Sequence, residues 1–147
     1  MRKDIVTKDI GNIAEITVMR KFILHKIPVA IPYGNAEPYD MIIETPKGFK
    51  SIQVKNAKYS KGSITAYIDN RSGYSKYIHN SYEDAVDYIV IYCNDLDECY
   101  IINTHNINAF SITLRVDPPK NNSCISQIKW AKDYLLDDYI DRCVNNI

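Results

Sequence analysis

The run Tyr-Ile-Val-Ile-Tyr at residues 88–92 constrains the fold of this chain more than any other segment. A strand with one solvated face alternates apolar and polar residues, whereas this run is apolar or aromatic throughout. Such a strand takes a central position in a sheet and is covered on both faces. The run therefore predicts a layered domain in which helices or further strands pack on each side of a sheet.

A helix is predicted near each end of the chain, because apolar residues recur there at helical spacing. The first helix spans 7–27, with Thr7 as its N-cap and Pro28 as its end. Its predicted apolar stripe consists of Ile10, Ile13, Ala14, Thr17, Val18, Phe22 and Ile23. The second helix begins at Ser123, and its predicted apolar side consists of Ile125, Ile128, Ala131, Leu135, Tyr139 and Cys143.

Strand patterns occupy the segment between the two helices. Residues 39–44 and 49–55 enclose a Thr-Pro-Lys-Gly turn and predict a hairpin. The order helix, mixed strands, helix predicts a single α/β or α+β domain over residues 1–147. The further predicted strands are 29–32, 63–68, 88–92, 98–103 and 111–116.

The chain is neutral overall, with 18 basic and 18 acidic residues, which argues against a uniformly basic nucleic-acid-binding surface. The charge is unevenly distributed, however. Residues 47–76 contain seven basic side chains and a single acidic one, Asp69. This segment therefore predicts local contacts with phosphates. Its candidate DNA-binding residues are Lys58, Lys61, Arg71 and Lys76.

No early apolar run reaches the length of a membrane span, and no signal-peptide core follows the first residues. We therefore expect a cytoplasmic protein with no membrane partner. The four cysteines form no Cys-x-x-Cys pair, and no histidine stands at zinc-finger spacing from them. We expect reduced thiols that act as small apolar fillers.

The predicted hairpin brings polar residues together at one edge. Alternation places Gln53 and Lys55 on one face of their strand and turns Ile52 and Val54 towards the core. The hairpin brings Asp40, at the start of the preceding strand, near that edge. Mg²⁺ prefers oxygen ligands, and a lysine can orient or deprotonate a water or neutralise phosphate charge. The pattern therefore predicts a site for a hard metal.

Glu15 is the fourth candidate residue of this site. It lies in the first predicted helix beside the apolar positions Ala14 and Val18. An acidic side chain near a buried face needs a partner, and a metal ion is one such partner.

These residues together resemble the PD-(D/E)XK nuclease superfamily. The likeness rests on Gly-Asn-Ile-Ala-Glu ending at Glu15, Pro-Tyr-Asp ending at Asp40, and Ile-Gln-Val-Lys ending at Lys55. The Gln-Val-Lys motif is similar to the branch that includes intron-encoded homing endonucleases, and archaeal Holliday-junction resolvases share the order of the motifs. The resemblance implies an α/β, restriction-endonuclease-like fold, in which helices flank a mixed central β-sheet.

The same resemblance implies roles for the site residues. Asp40 would be the shared metal ligand, Glu15 a ligand directly or through water, and Val54 a ligand through its backbone carbonyl. Lys55 would act on the attacking water. The implied cofactor is Mg²⁺, with Mn²⁺ as a substitute, and the implied partner is double-stranded DNA. One active site per domain implies a homodimer or homotetramer if both strands are cut.

Two positions depart from the commonest family pattern. Tyr39 stands before Asp40 where proline is usual, and Gln53 replaces an acidic residue, which removes one negative charge and disfavours binding of two metals. The leading hypothesis is a metal-dependent, site-specific DNA endonuclease of the homing type. The first alternative is a Holliday-junction resolvase, against which the zero net charge argues. The second is a non-catalytic DNA-binding or structural module with a degenerate nuclease site.

Overall fold

The computed structural model describes residues 4–68, 86–107, 111–121 and 125–145. The helices within these ranges are α1 (Thr7–Leu24) and α2 (Leu136–Asn145), with short 3-10 helices at Thr104–Asn106, Ile125–Gln127 and Ala131–Tyr134. The strands are β1 (Val29–Ala30), β2 (Met41–Thr45), β3 (Gly48–Ser60), β4 (Ser63–Tyr67), β5 (Tyr88–Cys93), β6 (Glu98–Asn103) and β7 (Ser111–Arg115).

The strand β3 organises the sheet, because its 13 residues pair with three other strands. Residues 48–52 pair antiparallel with β2, residues 52–57 pair parallel with β5, and residues 58–60 pair antiparallel with β4. Antiparallel pairing adds β1 to β2, β6 to β5 and β7 to β4. The result is a mostly antiparallel, seven-stranded mixed sheet within an α/β fold, which confirms the predicted fold class.

The strand β5 is central, as its apolar sequence predicts, because it lies between β3 and β6. Its two faces belong to different buried clusters. Val90 belongs to the cluster that contains Phe22 of α1 and Ile140 of α2. Ile91 lies on the other face and shares a cluster with Leu114 of β7. The helices therefore cover one face of the sheet, and the ribbon of β4 and β7 covers the other.

The helix α1 begins at the predicted residue but ends three residues earlier than predicted, at Leu24. Its N-cap is Val6 instead of Thr7, and Oδ2 of Asp9 accepts a hydrogen bond from the Val6 backbone N–H at 3.0 Å. Only part of the predicted apolar stripe faces the core. Ala14, Val18 and Phe22 are buried, whereas Ile13 and Ile23 are exposed.

The prediction of one long helix from Ser123 is wrong. The regular helix α2 starts only at Leu136. Before it, Trp130 forms a β-bridge with Arg115, and Leu135 forms one with Tyr100. These bridges require extended backbone, so they interrupt a segment whose apolar spacing is helical. Ser123 itself lies outside the described residues.

Two further predictions concern membranes and thiols. Among the described helices, none combines the length and apolar character that crossing a membrane requires. Cys93 and Cys99 are buried free thiols, and Cys143 is a free, partly buried one. Cys124 lies outside the described residues.

Candidate active site

Asp40 lies immediately before β2, where the pairing of β2 with β3 ends. Its backbone N–H donates to the carbonyl of Ile52 at 2.8 Å, and its Oδ2 accepts from the N–H of Val54 at 2.7 Å. The carboxylate thus replaces the backbone acceptor that a longer β2 would have offered to Val54. Oδ2 also accepts from Nε2 of Gln53 at 2.8 Å. Both hydrogen bonds go to Oδ2, so Oδ1 is the oxygen that remains for a cation.

Gln53 and Lys55 lie on the face of β3 that points away from α1. Their neighbours Ile52 and Val54 are buried in the cluster that contains α1, as strand alternation predicts. Lys55 itself is half-buried. Burial lowers the pKa of Lys55, and the negative charge of Asp40 opposes this effect only in part.

Glu15, on α1, is the second acid whose charge is coupled to this carboxylate. Burial raises the pKa of Glu15, and the charge of Asp40 raises it further. Burial also raises the pKa of Asp40, although the hydrogen bond from Val54 and the charge of Lys55 act in the opposite direction. The charge of Asp40 therefore disfavours ionisation of Glu15, and a cation bound by both carboxylates would offset that repulsion.

The oxygen donors around Asp40 fit a hard cation. The N–H and C=O of a strand residue point to the same side, so the carbonyl of Val54 faces the side on which its N–H meets Asp40. Gln53 presents Nε2 to Asp40, so its amide would have to rotate before Oε1 faced a cation. The described residues contain no cluster of three or more His, Cys, Asp or Glu side chains suited to a metal. Two carboxylates supplemented by a carbonyl and waters suit Mg²⁺ better than Zn²⁺.

Two of the four candidate DNA-binding residues lie on the same hairpin as Lys55. Lys58 is exposed near the end of β3, and Lys61 is exposed in the turn between β3 and β4. The turn is held by Arg115, whose Nη1 donates to the carbonyl of Lys61 at 3.2 Å. Arg71 and Lys76 lie outside the described residues.

The position of the site depends on one residue that sequence reasoning missed. Oδ2 of Asp87 accepts hydrogen bonds from the backbone N–H of Ser51 at 2.8 Å and from its hydroxyl at 3.0 Å. The backbone N–H of Asp87 donates in turn to Oγ of Ser51 at 3.0 Å. This contact holds the start of β5 against β3, two residues before Gln53. No local pattern signals it, because the partners are 36 residues apart.

A family model described as PD-(D/E)XK endonuclease matches residues 5–137, a span that includes Glu15, Asp40, Gln53 and Lys55. No curated protein matches the sequence significantly. The solved structure of a bacterial homing endonuclease, I-Ssp6803I, is similar with a TM-score of 0.69 and 16% identity, over 96% of each chain. At that identity the likeness shows a shared fold. Since the family model covers most of the sequence, the chain belongs to the PD-(D/E)XK endonuclease family.

Proposed function

We propose that this chain is a metal-dependent endodeoxyribonuclease that hydrolyses phosphodiester bonds in double-stranded DNA. The observation that carries the proposal is the position of Asp40. Its carboxylate is held by Val54 and Gln53, and its charge acts on both Glu15 and Lys55. Metal-assisted hydrolysis needs carboxylates that bind the cation and a group that acts on the attacking water, and a carboxylate pair beside a lysine of lowered pKa provides both.

Oδ1 of Asp40, the carboxylate of Glu15 and the carbonyl of Val54 are the atoms that would hold a Mg²⁺ ion, for which Mn²⁺ would substitute. When bound, the cation supplies charge stabilisation at the phosphate and lowers the pKa of a bound water. Gln53 keeps the Asp40 carboxylate in place through its hydrogen bond to Oδ2. With one acidic residue fewer than the commonest family pattern, the site favours a single cation.

Lys55 is the residue that acts on the attacking water. Burial lowers the pKa of its amine, so a larger fraction of the amine is neutral near pH 7 than for an exposed lysine. A neutral amine accepts a proton from the water as the oxygen attacks phosphorus. The protonated amine that results stabilises negative charge on the phosphate.

Lys58 and Lys61 extend the positive charge of the site along the hairpin. Lys58 stands three positions after Lys55 in β3, a span of about 10 Å along the strand, and alternation places its side chain on the opposite face. That length fits contacts to phosphates that neighbour the cleaved bond. We include Arg71 and Lys76 in this phosphate-binding set because of the sequence alone. Such contacts strengthen binding to any sequence and make it depend on salt concentration.

Site-specific cleavage of the homing type is the form of the activity that we favour. Its support is the Gln-Val-Lys motif together with a fold similar to that of a protein described as a homing endonuclease. Each chain contributes one site, so cleavage of both strands calls for a homodimer or a homotetramer.

A library of randomised double-stranded DNA and a synthetic four-way junction, each incubated with protein and Mg²⁺ or Mn²⁺, test this proposal. Selective cleavage of one group of duplex sequences is the expected result. Paired, symmetric nicks confined to the junction would favour the resolvase alternative instead. Absence of cleavage on every substrate with both ions would contradict the enzymatic proposal and favour the non-catalytic alternative.

A further inference from the structure

The helix α1 has two apolar faces, of which the fold uses one. Ala14, Val18 and Phe22 pack against the sheet and are at most 1% exposed. The opposite face points away from the described core. Its large apolar side chains are Ile13, Ile16, Ile23 and Leu24, exposed by 41%, 61%, 56% and 60%.

The outward residues of α1, together with its N-cap residue Val6, follow a coiled-coil spacing. Steps of three and four residues alternate along this face, which is the a/d spacing at which two helices pack side by side. Four of the six positions are apolar, and all four are exposed. We call this set the outer seam. Its members are Val6, Asp9, Ile13, Ile16, Arg20 and Ile23.

The outer seam is complementary to itself when a second copy of α1 runs antiparallel. With a two-fold axis between positions 14 and 15, Ile13 faces Ile16 of the second copy. The same axis places Asp9 opposite Arg20. At each end of the seam, Val6 meets Ile23. Antiparallel coiled coils pair a positions with d positions, and all three of these pairs obey that rule.

A parallel pair of the same helices would place Asp9 against Asp9 and Arg20 against Arg20. Like charges in facing positions are destabilising, whereas the antiparallel pair contains two ion pairs of opposite charge. Polar residues at single seam positions also specify register and orientation in coiled coils. The charge pattern therefore selects one arrangement of a second copy.

We propose that the outer seam of α1 is the contact through which two copies of this chain form a symmetric, antiparallel dimer. A second copy fits the seam better than DNA does, because the two charged members are of opposite sign and the rest are apolar. A helix of 18 residues is about 27 Å long, so the seam is small beside the roughly 800 Å² per partner of a standard interface. The dimer therefore dissociates on dilution.

The dimer links the two sites. Glu15 lies on α1 next to the two-fold axis and is not a member of the seam, and the charge of Asp40 acts on it. Pairing of the helices thus sets the separation of the two Asp40 clusters, and double-strand cleavage requires such a fixed separation. This consequence rests on the proposed function, whereas the dimer itself rests only on the helix.

Sedimentation of the full chain without DNA or metal tests the dimer, with thermal unfolding as the check on folding. The wild type is expected to pass from monomer to dimer as its concentration rises. Ile16→Glu should weaken the dimer at least about tenfold. The matched control is Ile125→Glu, which changes a 48% exposed isoleucine outside the seam and should leave the dimer unchanged. A wild type that stays monomeric at every concentration, or an Ile16→Glu variant that dimerises normally, would overturn the proposal.

An exchange of charges tests the register independently. Arg20→Asp and Asp9→Arg should each weaken self-association, because each variant opposes like charges twice. A mixture of the two variants should form a heterodimer, since both pairs are then of opposite sign. Failure of the folded variants to associate when mixed would exclude this register. Because sedimentation needs no substrate, a dimer without nuclease activity and an active monomer are distinct outcomes, and only the second contradicts the dimer.

Discussion

Gln53 donates a hydrogen bond from Nε2 to Oδ2 of Asp40 at 2.8 Å. The amide satisfies the same carboxylate oxygen that accepts the N–H of Val54. A glutamate at position 53, which the commonest family motif would have, has no hydrogen to donate when ionised and would repel Asp40. The amide therefore stabilises Asp40 in a way that does not require a cation.

The first prediction concerns replacement of this amide by an acid. Gln53→Glu removes a hydrogen bond to a charged acceptor, so we expect a loss of about 1.5–3 kcal/mol in the free energy of unfolding near pH 7 without divalent ions. Added Mg²⁺ should stabilise the variant more than it stabilises the wild type, because a third carboxylate joins the site. Urea unfolding with and without Mg²⁺ measures both effects.

Gln53→Ala is the matched control, because it removes the hydrogen bond and adds no charge. We expect it to be destabilised as well, with no larger gain from Mg²⁺ than the wild type shows. Equal gains from Mg²⁺ in Gln53→Glu and in the wild type would mean that position 53 does not face the cation.

The second prediction separates Lys55 from its neighbour Lys58. Lys55→Met should lower the single-turnover cleavage rate by about 10²–10⁴-fold, the usual contribution of a group that transfers a proton. Lys58→Ala should leave that rate nearly unchanged and weaken DNA binding, with a smaller salt dependence. Rates at saturating protein and affinities at several salt concentrations distinguish the two. Similar rate losses in both variants would show that Lys55 supplies only general positive charge.

The hairpin that carries the site could be predicted because its information is local. Alternation along β3 identifies the buried face at Ile52 and Val54, and the Pro-Gly turn sets the partner strand. The parallel pairing of β3 with β5 is not local. It depends on Asp87, which contacts Ser51 from 36 residues away, and no pattern in either segment reveals the pair.

The helices are harder to predict for a different reason: their apolar residues belong to more than one face, and the sequence pattern does not separate the faces. In α1, apolar residues of the buried face and of the outer seam merge into a single predicted stripe, although Ile13 and Ile23 are exposed. Near the C-terminus, helical spacing is overridden where Trp130 and Leu135 form bridges to β7 and β6. The spacing of apolar residues along the sequence does not determine which structural element each face packs against.

The third prediction tests the contact that holds β5 against β3. Burial alone would raise the pKa of Asp87, but hydrogen bonds from Ser51 and the charge of Lys50 outweigh it and lower the pKa. The contact therefore stabilises the fold fully above the ordinary value of 3.8 and is lost as pH falls through the lower folded value. Asp87→Ala should cost about 1–3 kcal/mol near pH 7, because it leaves Ser51 unsatisfied.

Urea unfolding of wild type and Asp87→Ala at neutral and acidic pH measures this dependence. The difference in the free energy of unfolding between wild type and Asp87→Ala should become smaller below pH 3.8. Asp141→Ala removes an exposed acid of α2 and serves as the control, for which we expect little change at either pH. A difference between wild type and Asp87→Ala that is independent of pH would mean that the carboxylate charge is not what holds the strands.

The fourth prediction concerns the acidic limb of the cleavage rate. The pKa values of Glu15 and Asp40 are both raised, from 4.5 and 3.8, so each carboxyl takes up its proton at a higher pH than an exposed acid of the same type does. A protonated carboxyl does not bind a cation, and the rate should therefore fall with decreasing pH at values above 4.5.

Protons and the cation compete for the same carboxylate oxygens, so the pH at which the cleavage rate falls should depend on the Mg²⁺ concentration. Raising the Mg²⁺ concentration should move the limb to lower pH, because more cation displaces the protons. Cleavage rates over a pH series at two Mg²⁺ concentrations measure the shift, and Lys58→Ala, which leaves both acids intact, should show the same shift as the wild type. If the rate falls over the same pH range at both Mg²⁺ concentrations, the group that titrates lies outside the cation site. The raised pKa values of Glu15 and Asp40 would then reflect burial without a metal-binding role.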